Sequence, residues 1–375
     1  MTTRGMRRAG FLAESTALLH RASSPSDLRA QPGRYDFSME EPVVVLGASA
    51  GGIEALSTIV AGLPEDLGAA VFVVLHIPAH APSRLHEILA PRSRLPVAAA
   101  RDGEPVRPGR IVVAVADRHL MLDEGAVRLT RGPKESRVRP SIDVLFRSAA
   151  AAYGRRAIGV VLSGTLDDGT AGLWAIKDRS GAALVQSPET SGHPWMPESA
   201  IRYVDVDAVV AIDDMAAEIV ARVRDAAALP IGEEAPMPER MKVENLIARE
   251  GNGMRAGSLE LGDKTAYTCP ECHGALVEIK EGRLVRFRCH TGHAFTIKSL
   301  LADVTDAIDT SLWDTLRAIE ERILILRQIE EMAKDEGAIG QAKAAGERAK
   351  AADDRVEALR RLLLDGTLFE HITDP

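Results

Sequence analysis

Gly47, Ala48, Ser49, Ala50 and Gly51 follow a short apolar run, Val43 to Leu46, and lead into a helical pattern from Ile53. A serine in such a strand-to-helix turn sits on a sharp bend. Its hydroxyl lies at the positive end of the following helix, where backbone N–H groups are available to an oxyanion. A Gly-rich turn of this kind also suits phosphate, so the motif alone leaves a nucleophile and a nucleotide loop equally open. A phosphate loop calls for a lysine after the glycines or an acidic residue about 20 positions on, and neither is present. The second apolar run, Val71 to Leu75, closes instead in His76, and another, Ile158 to Leu162, opens into Ser163, Gly164, Thr165, Leu166, Asp167, Asp168 and Gly169. Serine, histidine and aspartate thus leave one expected sheet edge. These types together make an acyl-transfer triad, in which imidazole takes the serine's proton and a carboxylate orients the imidazole. Singly, Ser49 reads as a turn serine, His76 as a core histidine and Asp168 as a helix N-cap; at three strand ends together, the triad is the better reading. Their chain order, Ser49, His76, Asp168, differs from the Ser, Asp or Glu, His order of α/β-hydrolases.

A second constellation suits a metal. Cys269 and Cys272 form C-x-x-C, and after sixteen intervening residues come Cys289, His290 and His293. Two short chelating turns joined by a hairpin supply the four ligands of tetrahedral zinc. Cys269, Cys272, Cys289 and His293 are the expected set, with His290 as the alternative fourth ligand. Four protein ligands leave no open position, so the zinc is expected to be structural.

The elements that must position these groups are legible in outline. The chain has 375 residues, 46% hydrophobic and 27% charged, with a formal net charge of -8. That length allows two or three units with real cores, and that charge gives no field for holding nucleic acid non-specifically. Three clustered cysteines exclude a secreted disulfide framework. No apolar run reaches the roughly 18 residues of a membrane helix, so a soluble, cytoplasmic protein is expected.

Residues 1–39 carry six arginines against three acids with no periodicity, which reads as a disordered tail. From Pro42 the runs Val43 to Leu46, Val71 to Leu75, Ile111 to Val115, Ile158 to Leu162, Ala182 to Val185 and Val209 to Ile212 alternate with amphipathic segments. This predicts an α/β fold over 40–228, a doubly wound, mostly parallel sheet whose ligands bind at the carboxyl ends of the strands. A Pro- and Gly-rich linker is expected over 229–264, a zinc-ribbon-like module over 265–297 and a helical hairpin over 298–366. The first hairpin helix carries one stripe, Val304, Ile308, Leu312, Leu316, Ile319, Ile323 and Leu326. Gly337 and Gly340 break it, and Val356, Leu359 and Leu363 line the second. That second helix folds back on the first or pairs with another copy or a partner helix; the sequence leaves these open.

Five ordered blocks carry a family resemblance: VVVLGASAGGIEAL from Val43, VVLHIP from Val73, RPSIDVLFRSAA from Arg139, GVVLSGTLDDGTAGL from Gly159 and ALVQSPETSGHPWMPESAI from Ala183. Residues 42 to about 215 resemble the catalytic domain of the chemotaxis protein-glutamate methylesterase, or CheB, family. The resemblance implies that Ser49, His76 and Asp168 are the triad, with Asp167 its less favoured neighbour. It implies hydrolysis of glutamate γ-methyl esters on methyl-accepting receptors, releasing methanol through an acyl-enzyme without a cofactor. Receptor-glutamine deamidation and a non-catalytic regulatory module are the alternatives. The sequence departs from the family pattern at Ala50, after the nucleophile, and at Gly164, Thr165 and Leu166, where glycine, methionine and glycine are usual. No receiver domain is expected, because about 40 unpatterned residues precede the first strand. His119 matches a further family block and is expected near the site; Arg139 and Arg147 read as solvated charges, and His80, His86 and His193 as loop or surface residues.

Overall fold

The computed structural model describes residues 41–230 and 235–364; the expected N-terminal tail lies outside them. The first part runs β1 (Val43–Ala48), α1 (Gly52–Gly62), β2 (Ala70–Leu75), α2 (Leu85–Leu89), β3 (Val97–Ala99), β4 (Arg110–Val113), β5 (His119–Asp123), β6 (Ala126–Thr130), α3 (Ile142–Tyr153), β7 (Ala157–Val161), α4 (Thr170–Asp178), β8 (Ala182–Gln186), α5 (Trp195–Tyr203), β9 (Ala208–Val210) and α6 (Ile212–Ala227). Seven strands form one sheet in the order β3-β4-β2-β1-β7-β8-β9, with every neighbouring pair parallel.

Because strand side chains alternate between faces, β1 feeds two cores. Val43 and Val45 pack with Leu145, Phe146, Leu173 and Met196 of α3, α4 and α5. Val44 and Leu46 pack with Leu56, Ile59, Met215 and Ile219 of α1 and α6. The strand order turns back at β1, with β2 on one side and β7 on the other, which opens a crevice at their carboxyl ends. The run read as a strand through Ile212 ends at Val210; Ile212 opens α6.

The segment expected as a linker instead contains α7 (Glu239–Glu250) and α8 (Gly253–Ala256). Met241, Glu244, Ile247 and Ala248 of α7 are buried, an i, i+3, i+6, i+7 face that Pro236, Pro238 and Gly251 obscured. A four-stranded antiparallel sheet follows, β10 (Asp263–Thr268), β11 (Ala275–Glu281), β12 (Leu284–Cys289) and β13 (Ala294–Thr296). It leads into α9 (Ile297–Asp335) and α10 (Ile339–Leu364). Gly337, at φ 75°, makes the turn between these helices, and Gly340 lies inside α10. Leu316 and Ile323 pack on Val356, Leu359 and Leu363. The helices are unequal in length, and Val304 and Ile308, in the first half of α9, are exposed. Among the described residues no helix is long and apolar enough to cross a membrane.

Arg147, expected to be solvated, is 3% exposed and belongs to a buried charge cluster that links α3 and α7 to β12 of the antiparallel sheet. Both of its terminal nitrogens donate to Glu135, at 3.1 and 2.8 Å. Arg288 Nη2 of β12 bridges Glu135 (3.0 Å) and Glu244 (2.8 Å), and Arg286 donates to Glu244 and, at 2.7 Å, to Glu281. Three guanidiniums and three carboxylates balance, which makes the burial tolerable; removing one partner strands a charge and costs about 3–5 kcal/mol. Burial pushes the Glu135 carboxyl up, but Arg147 and Arg288 push it down harder, to about 2 against an ordinary 4.5. With the folded value below the unfolded one, the associated stability is present above about pH 4.5 and lost as pH falls through 2, roughly 3 kcal/mol in all. Urea unfolding across pH 5 to 2 is expected to show that loss, and Glu135→Gln to flatten its share of the slope; an unchanged slope would remove the cluster from the account.

Candidate active site

Each of three strand ends delivers one reactive side chain. Ser49 follows β1 directly, His76 follows β2, and Asp168 lies in the loop between β7 and α4. Backbone bonds stitch the strand ends together: Ser49 N–H donates to Ser163 O at 2.9 Å and His76 N–H to Ala48 O at 3.2 Å. Gly51 takes φ 72°, and a Cβ there would lie 2.8 Å from Ser163 Oγ, so this corner admits only glycine. The Ser163 hydroxyl donates to Ala50 O (2.8 Å) and accepts from His193 N–H (3.0 Å), tying the serine turn to the loop before α5.

The structure brings Ser49, His76 and Asp168 into one hydrogen-bonded chain. His76 Nδ1 is 3.1 Å from Ser49 Oγ, and His76 Nε2 is 2.8 Å from Asp168 Oδ2. Asp168 Oδ2 also accepts from Ile142 N–H at 2.7 Å, and Oδ1 accepts from Ser141 Oγ at 2.9 Å and Asp143 N–H at 3.2 Å. The carboxylate therefore sits on the N-terminus of α3, where unpaired N–H groups favour negative charge. Burial pushes its pKa up, but the bond and charge of His76 and the two backbone N–H groups outweigh it and hold Asp168 below the ordinary range. An ionised Asp168 accepts, so Nε2 carries the ring proton and the Nδ1 lone pair faces the serine hydroxyl.

Asp143 makes the reciprocal contact, accepting from Gly169 N–H (2.9 Å) and Gly172 N–H (2.7 Å) at the start of α4. Burial, reinforced by the Asp168 charge, pushes the Asp143 carboxyl well above its ordinary value. Of these two adjacent carboxylates, the one held below its ordinary range is Asp168, beside His76.

His119 touches neither Ser49 nor His76. It is buried, its Nε2 donating to Pro133 O at 2.9 Å and its Nδ1 accepting from Ser141 N–H at 3.3 Å. Burial holds its pKa down, which keeps it neutral and able to accept. It therefore fixes the Ser141 turn that grips Asp168. Arg139, read as solvated, bonds Asp117 Oδ1 through Nε (3.0 Å) and Gly132 O through Nη1 (2.7 Å) on the same turn. Asp167 turns away from the imidazole and accepts from Thr296 Oγ1. Sequence reasoning passed over Ser141 and Ser163; Ser141, just ahead of an amphipathic run, carried an N-cap signal.

A CheB methylesterase family model matches residues 44–219. Over 173 residues the chain is 44% identical to a protein-glutamate methylesterase/protein-glutamine glutaminase of Anaeromyxobacter dehalogenans, covering 46% of this chain and 51% of that one. A Leptospira interrogans relative named for the same two activities is 36% identical over 179 residues, 48% of this chain and 93% of that one. The chain belongs to the CheB methylesterase family. The crystal structure of the Thermotoga maritima CheB methylesterase catalytic domain is 32% identical, with a TM-score of 0.47, covering 48% of this chain and 98% of that one. The chain thus spans about half the length of the Anaeromyxobacter relative and nearly all of the Leptospira one.

Within the CheB methylesterase domain, Gly164 lies in the loop between β7 and α4 that leads to Asp168. A Cβ there would collide with Met196 Sδ and lie 2.8 Å from Ser49 Cβ. Met196 can shift, but Ser49 is held by its backbone bonds. Gly164→Ala is expected to displace the hydroxyl and lower turnover about 100-fold, because misplacement by roughly 1 Å costs that much, and to cost about 1–3 kcal/mol of stability through overpacking against the buried Met196. Turnover within threefold of wild type would show that the serine turn yields.

Away from this crevice, the Cys269, Cys272, Cys289 and His293 ligand atoms lie within 4.8 Å of one another. Cys272 and Cys289 Sγ are 3.5 Å apart, and His293 Nδ1 is 3.6 Å from both Cys269 and Cys289 Sγ. Tetrahedral zinc with ordinary bond lengths has ligand-to-ligand edges of about 3.5–3.8 Å, so this donor set fits zinc. His290 stands outside it, its Nε2 3.3 Å from Thr291 Oγ1.

Proposed function

We propose that this chain is a protein-glutamate methylesterase acting on methyl-accepting chemotaxis receptors in the cytoplasm, with Ser49 as nucleophile, His76 as acid and base, and Asp168 as the group that orients His76. The observation that carries this reading is the unbroken hydrogen-bonded chain from Ser49 through His76 to an ionised Asp168, inside a CheB methylesterase domain. Ser49 attacks the γ-ester carbonyl as its proton passes to His76 Nδ1, and the oxyanion forms near the positive end of α1. His76 returns the proton to the departing methoxide, and methanol leaves an acyl-enzyme on Ser49. Water, deprotonated by His76, then releases the free γ-carboxylate and regenerates the serine. Asp168 keeps its four hydrogen bonds throughout and pairs with the imidazolium when it forms; it takes no proton. No cofactor enters these steps.

The relatives' names pair esterase with glutaminase, which favours a second activity at the same serine, with ammonia in place of methanol as the leaving group. Assaying both products from receptor membranes, methylated or carrying glutamine, tests the two readings together. Serine-dependent methanol supports the esterase, ammonia alone the deamidase, and neither product the non-catalytic module.

Cys269, Cys272, Cys289 and His293 are proposed to hold a structural zinc. Such an ion would clamp the Cys269–Cys272 turn to the end of β12 and supply folding energy rather than chemistry.

A further inference from the structure

Asp167 is a buried carboxylate beside the triad that the esterase steps leave unused. It is 4% exposed, and its Oδ1 accepts from Thr296 Oγ1 at 2.8 Å. Thr296 lies 129 positions away, at the junction of β13 and α9, and is itself buried. Its hydroxyl serves twice, donating to Asp167 and accepting from Ser299 N–H (3.1 Å) as the N-cap of α9, while Ser299 Oγ accepts from Thr296 N–H.

The loop from Ser163 to Gly169 needs such a hold. Its near end is fixed by Gly164 N–H on His193 O, and its far end by Gly169 N–H on Asp143. Between them Leu166 sits at φ 61°, a left-handed conformation that costs a branched side chain roughly 1–2 kcal/mol and persists only where the surroundings impose it. Asp167 follows at once, and Asp168 next. β13 is in turn strapped to the catalytic domain: Ser136 N–H donates to Ala294 O at 2.8 Å, Ala294 N–H to Lys134 O at 3.2 Å, and Arg137 pairs with Asp303 of α9 at 2.5 Å. Burial raises the Asp167 pKa to about 6, so this acid is kept at its place despite a cost in ionisation.

We propose that Thr296 and Asp167 are positioning residues, through which the start of α9 holds the β7–α4 loop so that Asp168 meets His76. The inference rests on the esterase reading, and it makes turnover depend on the seating of β13 and α9. Thr296→Val, which keeps shape and loses the hydroxyl, is expected to lower kcat about 10- to 100-fold with KM within twofold. Thr296→Ser and Asp167→Asn, which keep the donor and the acceptor, are expected to retain kcat within about threefold of wild type. Ser299→Ala removes the reciprocal half of the same capping box, the bond from Thr296 N–H to Ser299 Oγ, without touching Asp167, and is expected to leave kcat unchanged.

Amide hydrogen exchange over 164–170, in the full chain, provides a readout that needs no substrate. Faster exchange in Thr296→Val, but not in Ser299→Ala, is expected. Wild-type kcat in Thr296→Val, or an equal loss in Ser299→Ala, would overturn the proposal. If the wild-type chain releases no product, the esterase reading falls and the exchange result alone decides: equal protection in Thr296→Val and wild type overturns the positioning role, and selective loss in Thr296→Val upholds it.

Discussion

Ser49→Ala is expected to lower methanol release by at least about 1,000-fold while leaving the melting temperature within a few degrees of wild type. The size of the effect follows from the chemistry: without the hydroxyl no acyl-enzyme forms, and only binding and oxyanion stabilisation remain, worth roughly 10³–10⁴ over water in such sites. The small stability effect follows from the bonding, because among the described residues Ser49 Oγ is held by the His76 imidazole alone, at 3.1 Å, while its backbone N–H bond to Ser163 O persists in alanine. Residues that act as one unit are not additive, so Ser49→Ala with His76→Ala should cost little more than Ser49→Ala alone. Methanol release by Ser49→Ala at even a tenth of the wild-type rate would show that another group attacks the ester.

Loss of the metal is the second large effect. Purified protein is expected to carry about one zinc per chain, and Cys289→Ser to carry almost none. The sheet from β10 to β13 has a small apolar core, in which Leu276, Phe287, Phe295 and Leu300 pack around Cys269 and Cys289. A unit of that size rarely folds on apolar burial alone, and structural zinc supplies apparent binding energies of about 10–16 kcal/mol in small domains. In Cys289→Ser, β10–β13 should therefore lose protection from hydrogen exchange while the parallel sheet keeps its own. If Thr296 holds the catalytic loop, turnover should fall with the metal. Metal analysis finding less than about a tenth of a zinc per chain, with full exchange protection of β11 and β12, would refute the site.

The parts of this architecture that could be read from the sequence are those whose signal is local. Runs such as Val71 to Leu75 are apolar because both faces of a central strand are covered, and β2 is buried along its whole length. The C-x-x-C turn and the Cys289 to His293 step announce convergence by spacing. The stripe on α9 was legible as a helix, but its cover was not: α10 shields Leu316 and Ile323 and leaves Val304 and Ile308 bare. The β5–β6 hairpin and α7 went unseen for a different reason. Glu244 faces inward on α7, where a pattern reader expects a leucine, because Arg286 and Arg288 meet it there from far along the chain. The same non-locality hid the support of Asp168, which Ser141, His119 and the first N–H groups of α3 provide. Type and spacing can nominate a serine, a histidine and an aspartate. Which nitrogen faces the serine, and what holds the carboxylate in its charged state, depends on contacts across the fold.

The most direct test of the central claim is covalent occupancy of Ser49. The full chain would be treated with a phosphonylating reagent of the kind that reports activated serines, the modified residue located by peptide mass spectrometry, and methanol release from methylated receptor membranes measured in parallel. A single adduct is expected, on Ser49, with residual activity falling in proportion to the fraction of chain labelled, and no adduct in Asp168→Ala. Undiminished methanol release from chain quantitatively labelled at Ser49, or rapid labelling at another residue with Ser49 untouched, would contradict that claim.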